Sequence, residues 1–291
     1  MARFARPVIV ASVVAAVAFL VAPTAAGARK PPPSSYVALG DSYTAGPLIP
    51  LQETDPLGCL RSDHNYPHLV AAALGVSDFR DPSCSGAETG DMTNAQDVDP
   101  GPNPPQFDSL DAGTQLVTVG IGGNDIGFTE IAESCASPTP TGHPCQDRYV
   151  VNGHDELAER IDATAPKVAA VLDGIHRRSP KARILVVDYL AILPETGPGC
   201  WPQLPMTPED VPYLRGVEKK LNAMLAEQAA ANHATFVDAY TASIGHDACQ
   251  LPGVRWVEPV VPTTPAAPVH PNLFGMQGYA KAVQARIEER G

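Results

Sequence analysis

Four short polar segments carry side chains that could do chemistry on an electrophilic carbon. Gly40-Asp41-Ser42-Tyr43-Thr44-Ala45-Gly46 follows a short apolar run and sets a serine where the chain turns from strand to helix. A hydroxyl there lies beside the positive end of a helix dipole, and the serine's own backbone N–H points toward developing oxyanion charge. Ser83-Cys84-Ser85-Gly86-Ala87 offers a glycine N–H that a ligand can approach without meeting a Cβ. Gly122-Gly123-Asn124-Asp125 adds a side-chain amide, a second kind of oxyanion donor. Val269-His270-Pro271-Asn272 adds a histidine, the usual general base for serine because it titrates near neutrality. Each segment alone has a plainer account: an Asp/Ser helix cap, a glycine turn, a capping turn, a structural histidine. His64, His68, His143, His154, His176, His233 and His246 read as solvated or structural. In combination the four segments supply nucleophile, base and oxyanion donors for acyl transfer.

Such turns must be held at the ends of regular elements. Short β-branched or apolar runs predict strands over 36–39, 76–80, 115–121, 183–190 and 235–237. Helices are expected over 67–74 (stopped by Gly75), 155–178, 209–232 and 275–290. Pro166 should kink or split the second of these. The third has Thr207 as N-cap, Pro208 as first residue and Asp210 near the dipole. Strands alternating with helices predict an α/β fold with a mostly parallel sheet, and ligands sit beyond the carboxyl ends of such strands. Three of the four polar segments follow predicted strands. No period between 20 and 50 residues repeats, which excludes a solenoid.

Composition narrows the class further. The chain has 291 residues, 44% of them hydrophobic, and a net charge of −12, which does not suit a phosphate backbone, so no nucleic acid is expected. Arg3 and Arg6, the apolar run from Val8 to Ala22 and Ala26-Gly27-Ala28 read as a secretory signal over 1–28. An uncleaved anchor is the alternative. The leader holds two basic and no acidic residues, which leaves 18 basic against 32 acidic in the mature chain. Residues 29–35 read as a proline-rich linker and 36–291 as one domain. The 31 prolines concentrate between elements, at 47–56, 100–105, 138–144, 194–212 and 252–271. Export makes Cys59, Cys84, Cys135, Cys145, Cys200 and Cys249 candidates for three disulfides, with 15 connectivities open and neighbour pairing closing the shortest loops. No C-x-x-C pair points to a metal, and no cofactor is expected.

The blocks GDSYTAG, SGA, GGND and HPN, in this order and over the whole mature chain, resemble the SGNH family of GDSL-type esterases and lipases. The resemblance implies a single-domain, flavodoxin-like three-layer α/β/α sandwich. It also implies Ser42 as nucleophile, His270 as base, and an oxyanion hole of the Ser42 and Gly86 N–H groups with the Asn124 amide. The six cysteines look like the secreted actinobacterial branch, which implies Cys59–Cys84, Cys135–Cys145 and Cys200–Cys249. One position departs from the pattern. Many members carry an aspartate three residues before the histidine, and here Ala267 stands there. Either a main-chain carbonyl near Ala267 takes the ring N–H, giving a Ser–His dyad, or a carboxylate arrives from elsewhere.

Rival readings fail on residues. Thr44 breaks the G-x-S-x-G elbow, Ala45 stands where S-x-x-K needs lysine, and Ser42 precedes His270, the reverse of the chymotrypsin order. What the resemblance implies is a secreted monomer acting on small-molecule or lipid esters, with membrane or cell-envelope contact compatible with that role. Two other functions share the motifs: an exported binding protein that lost catalysis, and an acyltransferase. The excursions at 47–64, 135–152, 194–208 and 250–268 are expected to shape the acyl pocket. Phe107, Tyr149, Trp201 and Trp256 are candidates for its wall, with surface packing as the plainer account of each.

Overall fold

Ser35–Gly40 forms β1, and all six of its residues are buried, as a strand covered on both faces requires. The computed structural model describes residues 1–5 and 31–289; the apolar run and cleavage site of the expected leader lie outside them. From Pro31 onward the chain forms one compact unit. β1 begins inside the segment expected as linker, because Gln115 Oε1 accepts the Ser34 N–H at 2.8 Å and draws the extended chain into the sheet.

The remaining sheet strands are β2 (Asp78–Arg80), β3 (Leu116–Gly120), β6 (Arg183–Val187) and β7 (Thr235–Val237). Between β3 and β6 a small hairpin, β4 (Val150–Val151) and β5 (His154–Asp155), stands apart. The order across the five-stranded sheet is β2-β1-β3-β6-β7, and every neighbouring pair is parallel. Counting sheet strands along the chain, that is 2-1-3-4-5, the flavodoxin-like order, whose direction of winding reverses between β1 and β3. The helices are α1 (Ser42–Ala45), α2 (Tyr66–Leu74), α3 (Phe128–Ser134), α4 (Pro144–Tyr149), α5 (Glu156–Arg178), α6 (Val211–Ala231), α7 (Ala239–Ser243) and α8 (Leu273–Glu288). α5 packs on α6 and α2 on α8, giving a helix layer on each face of the sheet. Right-handed crossovers in opposite directions from the reversal point produce this arrangement.

Two expectations change. Pro166 does not split α5, which runs through it: Ile161 and Thr164 before it and Val168, Val171 and Leu172 after it are all buried, and this shared apolar face outweighs the missing hydrogen bond. α6 starts at Val211, two residues later than its sequence pattern. Thr207 caps a preceding turn by accepting the Asp210 N–H at 3.1 Å, and the Asp210 carboxylate caps α4 instead, taking the Cys145 and Gln146 N–H groups at 2.9 Å each. The disulfides are Cys59–Cys84, Cys135–Cys145 and Cys200–Cys249, the neighbour pairing.

Candidate active site

At the reversal point β1 delivers Gly40-Asp41 and α1 opens on Ser42. Asp41 is the N-cap: its Oδ1 accepts the Tyr43 N–H at 2.9 Å, and Gly46 in left-handed conformation closes the single turn. Gly40 is held by a reciprocal pair with the buried Gln106 side chain, N–H to Oε1 at 2.8 Å and Nε2 to O at 2.9 Å. A Cβ on Gly40 would lie 2.2 Å from Thr44 Oγ1 and 2.8 Å from the Gly120 carbonyl, so only glycine lets the turn close against β3. Ser42 is 8% exposed, enough to be reached from outside.

His270 lies 228 residues away in sequence, and its Nε2 is 2.8 Å from Ser42 Oγ. The opposite ring nitrogen, Nδ1, is 2.7 Å from the Pro268 carbonyl. A carbonyl only accepts, so Nδ1 carries the proton and Nε2 presents its lone pair to the serine hydroxyl. Among the described residues no carboxylate is bonded to the ring, and a main-chain carbonyl stands where an aspartate would. Burial pushes the His270 pKa below its ordinary 6.5, with the Pro268 carbonyl pulling the other way.

The loop bearing His270 is clamped from several sides. Val269 adopts φ +59, a strained conformation for a β-branched residue, and Tyr43 Oη donates to its carbonyl at 2.8 Å. Its N–H goes to the Glu258 carbonyl, and the Glu258 N–H goes to the His270 carbonyl. Beneath the loop, Glu258 is fully buried, pairs with Arg255 at 3.2 Å and accepts Asn272 Nδ2 at 2.8 Å. Asn272 in turn caps α8.

The two oxyanion candidates meet across the same edge. Asn124 Nδ2 donates to the Ala87 carbonyl at 2.9 Å, which joins the turn after β3 to the turn containing Gly86 and leaves the second amide hydrogen free to donate. Gly86 has φ +80, a conformation that favours glycine, and is exposed. The flanking N–H groups of Asp41, Tyr43, Ser85 and Ala87 are all taken, whereas those of Ser42 and Gly86 have no acceptor among the described residues. Unused backbone N–H groups and a side-chain amide are the kinds of donor that a developing oxyanion requires.

Sequence reasoning missed Tyr189, which follows β6 and is 7% exposed. Its hydroxyl accepts the Gly123 N–H at 2.7 Å and donates to Asp41 Oδ2 at 2.5 Å. Burial raises the Asp41 pKa to about 7, with the hydrogen bonds from the Tyr189 hydroxyl and the Tyr43 N–H opposing. A tyrosine at the carboxyl end of a buried strand was the available signal, since that is where such sheets hold ligands. Asp41 itself supports the turn, with one carboxylate oxygen taken by the Tyr43 N–H and the other by the Tyr189 hydroxyl.

An apolar cavity of about 90 Å³ reaches Val269, the neighbour of His270, and is lined by Gly123, Ile126, Phe128, Ile131, Ala132, Tyr189, Ile192, Leu193, Leu204, Met206, Leu214, Val217, Glu218, Leu221 and Val269. Of the expected excursions only 194–208 contributes; α3 and α6 supply most of the rest. None of the four aromatic candidates lines it. Phe107 packs under Gly174 with Arg178 over its ring, Tyr149 bonds Ser134, Trp201 donates to the Ser137 carbonyl, and Trp256 stacks on His246. Phe128, edge-on to both Tyr43 and His270, takes the place expected of them.

A model of the GDSL-like lipase/acylhydrolase family matches residues 38–277, a span running from β1 past His270. The chain is 40% identical over 264 residues to Lipase 2 of Streptomyces coelicolor, with 88% of this chain and 87% of that protein covered. Among solved structures it is similar to phospholipase A1 from Streptomyces albidoflavus NA297, at 27% identity and a TM-score of 0.73 over 87% of this chain and 98% of that one. It is similar also to an extracellular lipase from Streptomyces rimosus, at 28% identity and a TM-score of 0.73 over 87% and 99%.

Proposed function

The chain belongs to the GDSL-like lipase/acylhydrolase family and is a carboxylic ester hydrolase, and from that premise we propose that it works through a Ser42–His270 acyl-enzyme with an oxyanion hole of Ser42, Gly86 and Asn124. The observation that carries this reading is the 2.8 Å contact between His270 Nε2 and Ser42 Oγ. Ser42 Oγ attacks the ester carbonyl carbon while Nε2 takes its proton. The carbonyl oxygen becomes an oxyanion that accepts from the Ser42 and Gly86 N–H groups and the free Asn124 amide hydrogen. The tetrahedral intermediate collapses, the C–O bond to the alcohol breaks, and the imidazolium returns its proton to the departing alkoxide. Water then repeats the sequence on the acyl-serine, giving the carboxylic acid and free Ser42.

The Pro268 carbonyl orients the imidazole, and its partially negative oxygen stabilises the ring's positive charge, so the chain works as a dyad. The absence of an aspartate at position 267 does not by itself argue against catalysis, because the Pro268 carbonyl supplies the orienting half of that role. The acyl chain lies in the apolar cavity beside Phe128, Leu204 and Met206, where each buried methylene contributes roughly 0.8 kcal/mol. That favours esters with several carbons in the acyl chain over acetyl esters, and lipid esters as substrates.

The leader over 1–28 and three disulfides support secretion. A cavity complete within one chain supports a monomer. Exposed Leu48 and Leu51, after α1, and Leu273 and Phe274, after His270, support contact with a lipid surface. The test is a fluorophosphonate probe on the oxidised protein together with a series of acyl chain lengths. Labelling that disappears in Ser42→Ala, with rates rising from acetyl to longer esters, is expected. Labelling that survives Ser42→Ala sinks the assignment.

A further inference from the structure

We propose that Tyr189 is a positioning residue for the reaction: its hydroxyl ties the Gly123 N–H to the Asp41 carboxylate and so fixes Asn124 relative to Ser42. The inference rests on the oxyanion-hole reading above and adds what sets the distance between two of its donors. Asp41 spends one carboxylate oxygen on each turn. Oδ1 takes the Tyr43 N–H at 2.9 Å and orients the helix that opens on Ser42. Oδ2 takes the Tyr189 hydroxyl at 2.5 Å, and the same hydroxyl accepts the Gly123 N–H at 2.7 Å, one residue before Asn124. A phenol suits this place because one oxygen donates and accepts at once, on a stiff ring with few rotamers.

The ring leaves little freedom at either end. A Cβ on Gly123 would lie 2.9 Å from the Tyr189 hydroxyl oxygen and 3.0 Å from the ring carbon that bears it, so the turn is laid directly on the tyrosine. Edge-on contact with Tyr43 at 5.1 Å braces the ring against α1. Asn124 is then held from both sides, through the Gly123 backbone by Tyr189 and through its own amide by the Ala87 carbonyl at 2.9 Å. Donors that are already in place when charge develops need no reorganisation during the reaction, which is the condition for strong oxyanion stabilisation. Tyr189 touches none of the reacting atoms; it acts through Asn124.

Tyr189→Phe keeps the ring, its packing on Tyr43 and its part of the cavity wall, and removes both hydrogen bonds. The test measures kcat and KM on a soluble short-chain aryl ester, and the inhibition constant of an alkylboronic acid that mimics the tetrahedral oxyanion. Both Tyr189→Phe in the otherwise native protein and Tyr189→Phe added to Asn124→Ala are compared. Loss of a whole oxyanion donor costs about 100- to 1,000-fold, so a displaced donor is expected to lower kcat by about 10- to 100-fold and weaken the boronic acid in parallel. KM should stay within about twofold, the signature of an interaction made only in the transition state. In the Asn124→Ala background the same change should cost less than about threefold, because the donor it positions is gone.

A kcat within about twofold of the native enzyme, or a loss carried by KM, overturns the inference. An equal loss in both backgrounds overturns it too, since that is what general destabilisation would give. Boronic acid affinity reads only the folded fraction and keeps the comparison valid if Tyr189→Phe lowers stability. Should Asn124→Ala leave kcat unchanged, the oxyanion assignment falls and the inference with it. A full Asn124→Ala effect with additive Tyr189→Phe removes the positioning role alone.

Discussion

His270, the proposed base, has a carbonyl behind it; that contact sets its tautomer, while burial sets its working range. Its pKa lies below the ordinary 6.5 because the folded protein withholds water from the charged ring. A base with a lowered pKa is deprotonated, and competent, at correspondingly lower pH. The acid limb of kcat/KM should therefore have its midpoint below about 6.5, read from a pH profile on a neutral ester. A midpoint above 7 would mean that a carboxylate raises the ring after all. Tyr43 makes a second prediction at this scale. Its hydroxyl holds the Val269 carbonyl in a backbone conformation that costs roughly 1–3 kcal/mol to maintain. Tyr43→Phe frees that loop, and kcat should fall by about tenfold in steady-state assays as the Ser42–His270 contact loosens.

Elements place these residues, and the point of closest fit is where β1 meets α1. Gly40 passes so near Thr44 and the Gly120 carbonyl that Gly40→Ala must part β1 from β3 or displace α1. Chemical denaturation should show a loss of about 1–3 kcal/mol, together with a drop in activity. Much of this level was legible in the sequence, because β-branched runs and glycine stops mark strands and turns through local chemistry. The four polar blocks could be ordered for the same reason. What pattern could not convey was which neighbour a side chain serves. Asp210 stands where a helix start wants an acid, yet it caps α4; Pro166 sits mid-helix without ending it, because both halves bury one face. The cavity wall draws on α3, α6 and three loops, and Phe128 rather than any tryptophan borders His270, a matter of tertiary packing with no local signature. Tyr189 was invisible as a partner of Asp41, 148 residues away.

Across the whole molecule, buried acids and disulfides govern stability. Asp41 is raised to about 7, and Asp188 and Glu218 to about 8 each, mainly by burial. Folded values above the ordinary ones mean that the native state holds protons more tightly than the unfolded chain. Their contribution is full below about pH 4 and is lost as pH rises through 7 to 8. Glu53 and Glu258 are lowered, with desolvation outweighed by their hydrogen bonds and arginine partners, and their contribution is lost at the acid end instead. Thermal melting should therefore peak on the acid side of neutrality and decline toward pH 8. The disulfides close separations of 25, 10 and 49 residues, and Cys200–Cys249, the longest, should cost most on removal, about 2–5 kcal/mol in denaturant titration. The central claim, that Ser42 is the acylated nucleophile, is tested most directly by intact-mass analysis of enzyme mixed with an aryl ester and quenched in acid. One acyl group per chain, mapped to the peptide containing Ser42 and formed as fast as the burst of alcohol, is the expected result. A full turnover rate with no adduct, or an adduct on another residue, would contradict it.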